Sequence, residues 1–118
     1  MSGQVSYLAG QAAEESVAMK YQSTGHRILA RRWRGRSGEI DIVAENEEGL
    51  VFIEVKASKT HRRAAEALGV RQQRRLMRAA EEYAACNKGR INVDMRLDVA
   101  LMNHLGEIQI LENALMAA

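Results

Sequence analysis

The run from Ser37 to Lys56, Ser-Gly-Glu-Ile-Asp-Ile-Val-Ala-Glu-Asn-Glu-Glu-Gly-Leu-Val-Phe-Ile-Glu-Val-Lys, constrains the fold more than any other stretch. Ile40 and Ile42 alternate with Glu39, Asp41 and Val43, the period of two expected of a half-buried strand. Asn46-Glu47-Glu48-Gly49 reads as a loop whose glycine is able to take positive φ, and a second strand begins at Leu50. If Glu45 and Leu50 close that loop, the antiparallel register sets Asp41 opposite Glu54, with their Cβ atoms ~5 Å apart. Lys56 shares the face of Glu54 because it sits two residues on. Two facing carboxylates beside a lysine make a poor surface and a good site for a divalent cation.

Around this hairpin the charge is positive. Most of the 17 lysines and arginines lie between Arg27 and Arg78, although the formal net charge of the chain is only +2. A cationic surface around a small acidic centre suits a polyanionic partner. At 118 residues the chain reads as one domain, residues 1–118, with a single modest core and no proline, repeat or low-complexity linker to divide it. The lone Cys86 excludes an internal disulfide and a cysteine-based zinc site. No charged-then-apolar leader opens the chain and no apolar run nears the ~20 residues that span a bilayer, so a cytoplasmic protein with no membrane partner is expected.

Ser6 to Ser23 reads as a helix stopped by Thr24-Gly25. Tyr7, Gly10, Glu14, Val17, Ala18 and Tyr21 fall on one stripe, which Glu14 interrupts. A carboxylate on a packing face needs a cation or donors to satisfy it, whereas Glu15 is nearer the polar side. His26 to Trp33 reads as the first strand. Arg31, Arg32, Arg34 and Arg36 follow around Trp33 and lead straight into the acidic hairpin. Arginine offers planar, bidentate donors to phosphate, while Trp33 reads as a partly buried anchor.

After Lys56 comes a polar loop, Ala57 to Arg63, carrying Lys59, His61, Arg62 and Arg63. From Val70 to Cys86 a helix is expected, ended by Asn87-Lys-Gly-Arg90. Arg71, Arg74, Arg75 and Arg78 share one face of it, and Leu76, Met77, Ala80, Tyr83 and Ala84 the opposite one. Four arginines in one stripe repel each other, which a negatively charged partner would offset. Arg96–Met102 and Glu107–Leu111 read as two strands around Asn103-His-Leu-Gly106, with Asp98 paired structurally to Arg96. This order of elements gives an α/β fold: a central sheet of about five strands flanked by helices.

Hard divalent cations such as Mg²⁺ or Mn²⁺ prefer oxygen ligands and retain waters. Asp41 and Glu54 could supply carboxylate oxygens, the backbone carbonyl of Val55 a third ligand, and Glu14 a hold on a coordinated water. Lys56 would orient an attacking water or stabilise charge developing at phosphorus.

Gly10 and Glu14, Gly25-His-Arg-Ile-Leu29, Gly38-Glu-Ile-Asp41 and Val51-Phe-Ile-Glu-Val-Lys56 resemble the YraN-like family of small bacterial proteins. Arg96-Leu-Asp-Val99 and Glu112-Asn-Ala114 extend the resemblance over nearly the whole chain. That family is similar to the Holliday-junction-resolvase branch of the PD-(D/E)XK nucleases. The resemblance implies a restriction-endonuclease-like core with a central mixed sheet, in which Glu14, Asp41, Glu54 and Lys56 match the functional positions. Two positions depart from the family pattern. Ser58, followed by Lys59, stands where an arginine is frequent, and Gln72 stands where a lysine is frequent.

The resulting expectation is a Mg²⁺- or Mn²⁺-dependent endonuclease-like protein hydrolysing DNA phosphodiester bonds, including those of branched DNA. Symmetric action on two strands would call for a homodimer. The alternatives are a non-catalytic nucleic-acid-binding module that keeps the nuclease fold, and an interaction protein whose acidic cluster is an internal salt-bridge network with Lys56.

Overall fold

The apolar residues of the central hairpin need cover on both faces, and the chain supplies one long helix for each. The computed structural model describes residues 3–86 and 94–114, with side chains from residue 10 onward. The elements are α1 (Gly3–Ser23), β1 (Arg27–Arg34), β2 (Glu39–Asn46), β3 (Gly49–Ala57), α2 (His61–Glu66), α3 (Val70–Cys86), β4 (Asp94–Met102) and β5 (Ile108–Leu111). The strands form one sheet in the order β1-β2-β3-β4-β5. Neighbours run antiparallel except β3 and β4, which are parallel and are linked by the crossover through α2 and α3. No helix among the described residues is long and apolar enough to cross a membrane.

On one face, Val17, Ala18 and Tyr21 of α1 pack on Ile42, Ala44, Val51, Ile53 and Ala100. On the other, Leu76, Ala79, Ala80 and Tyr83 of α3 pack on Ile40, Val43, Leu50, Phe52, Leu97 and Val99. The expected half-buried character of β2 is therefore corrected: Ile42 to Glu45 are all buried, as a sheet covered on both faces requires. The expected alternation also breaks. Ile40 and Ile42 lie two apart yet belong to different core clusters, on either side of the point where the β2–β3 ladder ends.

Most boundaries follow local chemistry. Gly25, at φ +87°, ends α1: the N–H of His26 donates to the Tyr21 carbonyl at 3.1 Å and that of Gly25 to Gln22 at 3.2 Å. The β2–β3 turn is tighter than the expected four-residue loop, since Asn46 already pairs with Gly49 while Glu45↔Leu50 holds as expected. Gly49 lies so close to β4 that an added Cβ would sit 2.2 Å from the Asp94 carbonyl oxygen, which bars any side chain there. The expected polar loop after Lys56 is shorter than its sequence implies. Thr60 caps α2 by accepting the Arg63 N–H at 3.1 Å, so His61, Arg62 and Arg63 are helical. Cys86 closes α3 and is exposed. The side chain of Tyr7 and the helix end at Asn87–Arg90 lie outside the described residues.

Candidate active site

The site arises where β2 and β3 part. Their ladder runs from Asn46↔Gly49 to Ile42↔Ile53, while β3 continues to pair with β4 as far as Ala57↔Met102. Beyond Ile42 the Val55 N–H finds a substitute acceptor: Asp41 Oδ2 takes its hydrogen bond at 2.8 Å. The end of this ladder has a counterpart on β1. Arg32, between the residues paired with Ile42 and Ile40, has φ +50°. Left-handed backbone at a non-glycine inside a strand is strained and is held only where its surroundings over-determine it.

Glu54 is buried beside Asp41 on the α3 side. Gln72 Nε2 donates to its Oε1 at 3.2 Å, and Lys56 Nζ lies 3.7 Å from the same oxygen. Burial, and then the charge and hydrogen bond of Asp41, push the Glu54 carboxyl up to about 8 from its ordinary 4.5, against the pull of Lys56. Desolvation dominates, as expected for a carboxyl facing a second one in a covered sheet. A raised carboxyl pKa means that the folded state holds its proton longer than the unfolded chain does. The associated stability is complete below about 4.5 and is lost as pH rises through about 8. In metal-free protein, Glu54→Gln is therefore expected to gain on wild type by a few kcal/mol as pH climbs across that window. Urea unfolding at pH 5, 7 and 9 measures this, and a pH-independent gap would remove the burial argument.

Glu14 reaches the neighbouring strand. Its Oε1 accepts from Arg32 Nε at 3.0 Å and its Oε2 from Arg32 Nη2 at 3.4 Å. The carboxylate that interrupts the α1 stripe is thus matched by a cation, on the stretch of β1 that faces Asp41. Asp41, Glu54 and Lys56 come together directly, whereas Glu14 is held by Arg32, whose place in β1 lies between the partners of Ile42 and Ile40. Among the described residues no group of three or more His, Cys, Asp or Glu side chains forms a metal-holding cluster.

The basic residues divide into three groups. Arg31 pairs with Glu15 and Arg34 with Glu39, both on the surface, so each is partly neutralised by a neighbour. Lys59, Arg62 and Arg63 are exposed around the start of α2, and His61 Nε2 lies 2.8 Å from the Glu107 carbonyl. Arg71, Arg74, Arg75 and Arg78 line one exposed patch of α3, as their spacing predicts. Trp33 is half-buried, edge-on to Tyr83 with ring centroids 5.3 Å apart, which fits an anchor.

Gln72 and the Arg32–Glu14 contact were not assigned from sequence as parts of the site. Gln72 is marked only by its departure from the family pattern. Nothing local marks Arg32, since neither glycine nor asparagine stands there to announce a left-handed residue.

Two carboxylates in contact, one desolvated, form a donor set of hard oxygens that a divalent cation would relieve of mutual repulsion. It suits Mg²⁺, which takes one or two protein carboxylates together with waters and substrate phosphate. It falls short of the three or four protein ligands of a zinc site.

The model of the uncharacterised protein family UPF0102 matches residues 13–102. A UPF0102 protein of Cereibacter sphaeroides is 50% identical over 118 residues, covering 99% of this chain and 100% of the relative. UPF0102 proteins of Ruegeria pomeroyi and Azorhizobium caulinodans are 47% and 40% identical, over 95% and 94% of this chain and 91% and 85% of theirs. Among solved structures, SfsA of Pyrococcus furiosus in complex with Ca²⁺ is similar at 19% identity and a TM-score of 0.38. That similarity covers 91% of this chain, which spans 63% of the SfsA chain.

Proposed function

This chain belongs to the uncharacterised protein family UPF0102, and from that premise and the geometry of the splayed hairpin we propose a metal-dependent endonuclease-like protein that hydrolyses DNA phosphodiester bonds. The observation that carries the proposal is the contact of Asp41 with the buried Glu54, with Lys56 Nζ 3.7 Å from Glu54. Asp41 and Glu54 would hold Mg²⁺ or Mn²⁺, with the Val55 carbonyl beside them and Glu14 reaching in through water. The cation would supply charge neutralisation at phosphate and acidify water.

Hydrolysis adds water across the ester. A P–O bond forms to the water oxygen and the bond to the leaving oxygen breaks, while one proton of the water passes to solvent and the leaving oxygen takes one up from solvent. Lys56, anchored at Glu54, donates a hydrogen bond that orients that water and balances charge developing on the phosphoryl oxygens. Arg32 aligns Glu14, and the exposed arginines of α3 and β1 draw in the phosphate backbone. Branched DNA is the preferred substrate class in this reading, and symmetric cutting requires a second copy of the chain.

One observation favours the runner-up, a non-catalytic nucleic-acid-binding module. Val55, Gln72 and Lys56 already satisfy both carboxylates, so the hairpin is self-consistent without a cation. Incubating linear, flapped and four-way DNA with Mg²⁺, Mn²⁺ or a chelator separates the two. Metal-dependent cleavage is the expected outcome. Salt-sensitive binding with no cleavage under either metal would establish the runner-up instead, and binding indifferent to salt would sink both.

A further inference from the structure

The loop that carries Arg36 rests against the helix that carries the second arginine group. Along α3, Arg71, Arg75, Arg78 and Glu82 occupy positions i, i+4, i+7 and i+11, so one glutamate continues a stripe of arginines. Glu82 faces the β1–β2 loop: its Oε2 accepts the Arg36 N–H and its Oε1 the Ser37 N–H, each at 2.9 Å. The loop has no slack around this contact. Gly35 N–H closes it by donating to the Gly38 carbonyl at 2.9 Å. A Cβ on Gly35 would lie 2.5 Å from the Trp33 ring and 2.6 Å from Glu82 Oε1. On Gly38, a Cβ would lie 3.7 Å from Arg75. The loop thus rests against the very helix that carries the arginines.

We propose that Glu82 is a positioning residue that latches the β1–β2 loop to α3, so that Arg34 and Arg36 join the α3 arginines in one surface for a nucleic-acid phosphate backbone. This rests on the nucleic-acid reading above. Arg71 to Arg78 span ~10 Å of helix, and a duplex presents about six phosphates over that length of its axis. The latched loop lengthens the track beyond the last arginine of the helix. A carboxylate at the end of such a track opposes a polyanion by its own charge, so its presence there calls for a positional role.

That opposition makes the test one of sign. Affinity for a short linear DNA duplex is measured by fluorescence anisotropy over a series of salt concentrations. Loss of a negative charge alone would tighten binding by Glu82→Ala. The latch gives the reverse: affinity about tenfold weaker, and a salt dependence shallower by about two phosphate contacts. Glu82→Gln, which keeps one acceptor oxygen, should fall between wild type and Glu82→Ala. Unchanged or tighter binding by Glu82→Ala would overturn the latch. Amide exchange tests it without any ligand. The Arg36 and Ser37 N–H groups should exchange faster in Glu82→Ala while α3 keeps its protection, and unchanged exchange at both would also overturn it. Should Glu82→Ala fail to fold, Glu82→Gln decides by the same two readouts. Wild type that binds DNA without salt dependence would remove the nucleic-acid reading and leave the exchange result to judge the latch alone.

Discussion

Asp98→Ala is expected to destabilise the domain by about 2–4 kcal/mol, because it removes the acceptor of a half-buried cation and of several donors. Asp98 is 0% exposed. Its Oδ1 accepts from Arg96 Nε at 2.9 Å and the Asn113 N–H at 3.0 Å, and its Oδ2 from the Tyr21 hydroxyl at 2.6 Å and Arg96 Nη2 at 3.1 Å. These bonds tie α1, β4 and the turn after β5 to one carboxylate. Burial first, and then Asp98, hold the Tyr21 hydroxyl far above its usual pKa, which keeps it a donor to Asp98. Alanine would leave the Tyr21 hydroxyl without its acceptor and the half-buried Arg96 with only the more distant Glu112, 3.9 Å away. Asp98→Asn keeps an acceptor oxygen and should lose less. Urea unfolding of the three proteins gives the ranking. A loss below about 1 kcal/mol for alanine, the worth of an exposed pair, would mean that Asp98 is not the structural tie described.

The second large effect is on chemistry. Asp41→Asn is expected to lower metal-dependent DNA cleavage by about a hundredfold or more while leaving the fold intact. The asparagine oxygen can still accept the Val55 N–H that Asp41 accepts at 2.8 Å, so the parting of β2 from β3 survives. What disappears is one of two negative charges. With it goes part of the repulsion that raises Glu54, so the variant should not be less stable than wild type at alkaline pH. Asp41→Asn cleaving as fast as wild type would remove Asp41 from the catalytic assignment.

Much of this was legible in the sequence, for local reasons. The hairpin register follows from a two-residue period and a glycine turn as far as Ile42↔Ile53; the expected Asp41–Glu54 pair falls just past the end of that ladder, where Asp41 accepts the Val55 N–H instead. α3 spans Val70–Cys86 as its two unlike faces demand. The Arg96–Asp98 pair follows from a spacing of two along a strand. The resemblance to a known family supplied the mixed sheet, which composition alone does not specify.

The rest depended on partners distant in sequence. Glu82 meets Arg36 and Ser37 across 46 and 45 positions, and Tyr21 reaches Asp98 across 77. No periodicity encodes such contacts. The end of the β2–β3 ladder lies across from a left-handed Arg32, a residue type that gives no warning of that backbone. Ile40 and Ile42 join different core clusters there, so the alternation that identifies the strand misassigns which layer each one meets. The Arg32 contact of Glu14 likewise joins residues 18 positions apart. The α2 helix was hidden because its cap, Thr60, is followed by basic rather than acidic residues in the first turn.

A divalent cation held by Asp41 and Glu54 is the centre of the functional reading, and calorimetric titration of Mg²⁺ into metal-free protein tests it most directly. At about pH 8.5, just above the raised pKa of Glu54, the Glu54 carboxylate is available to a cation. Wild type should bind with saturable heat at one site per chain, and Asp41→Asn should give none above dilution. Equal binding by the two proteins, or none by wild type, would contradict a metal centre at this hairpin.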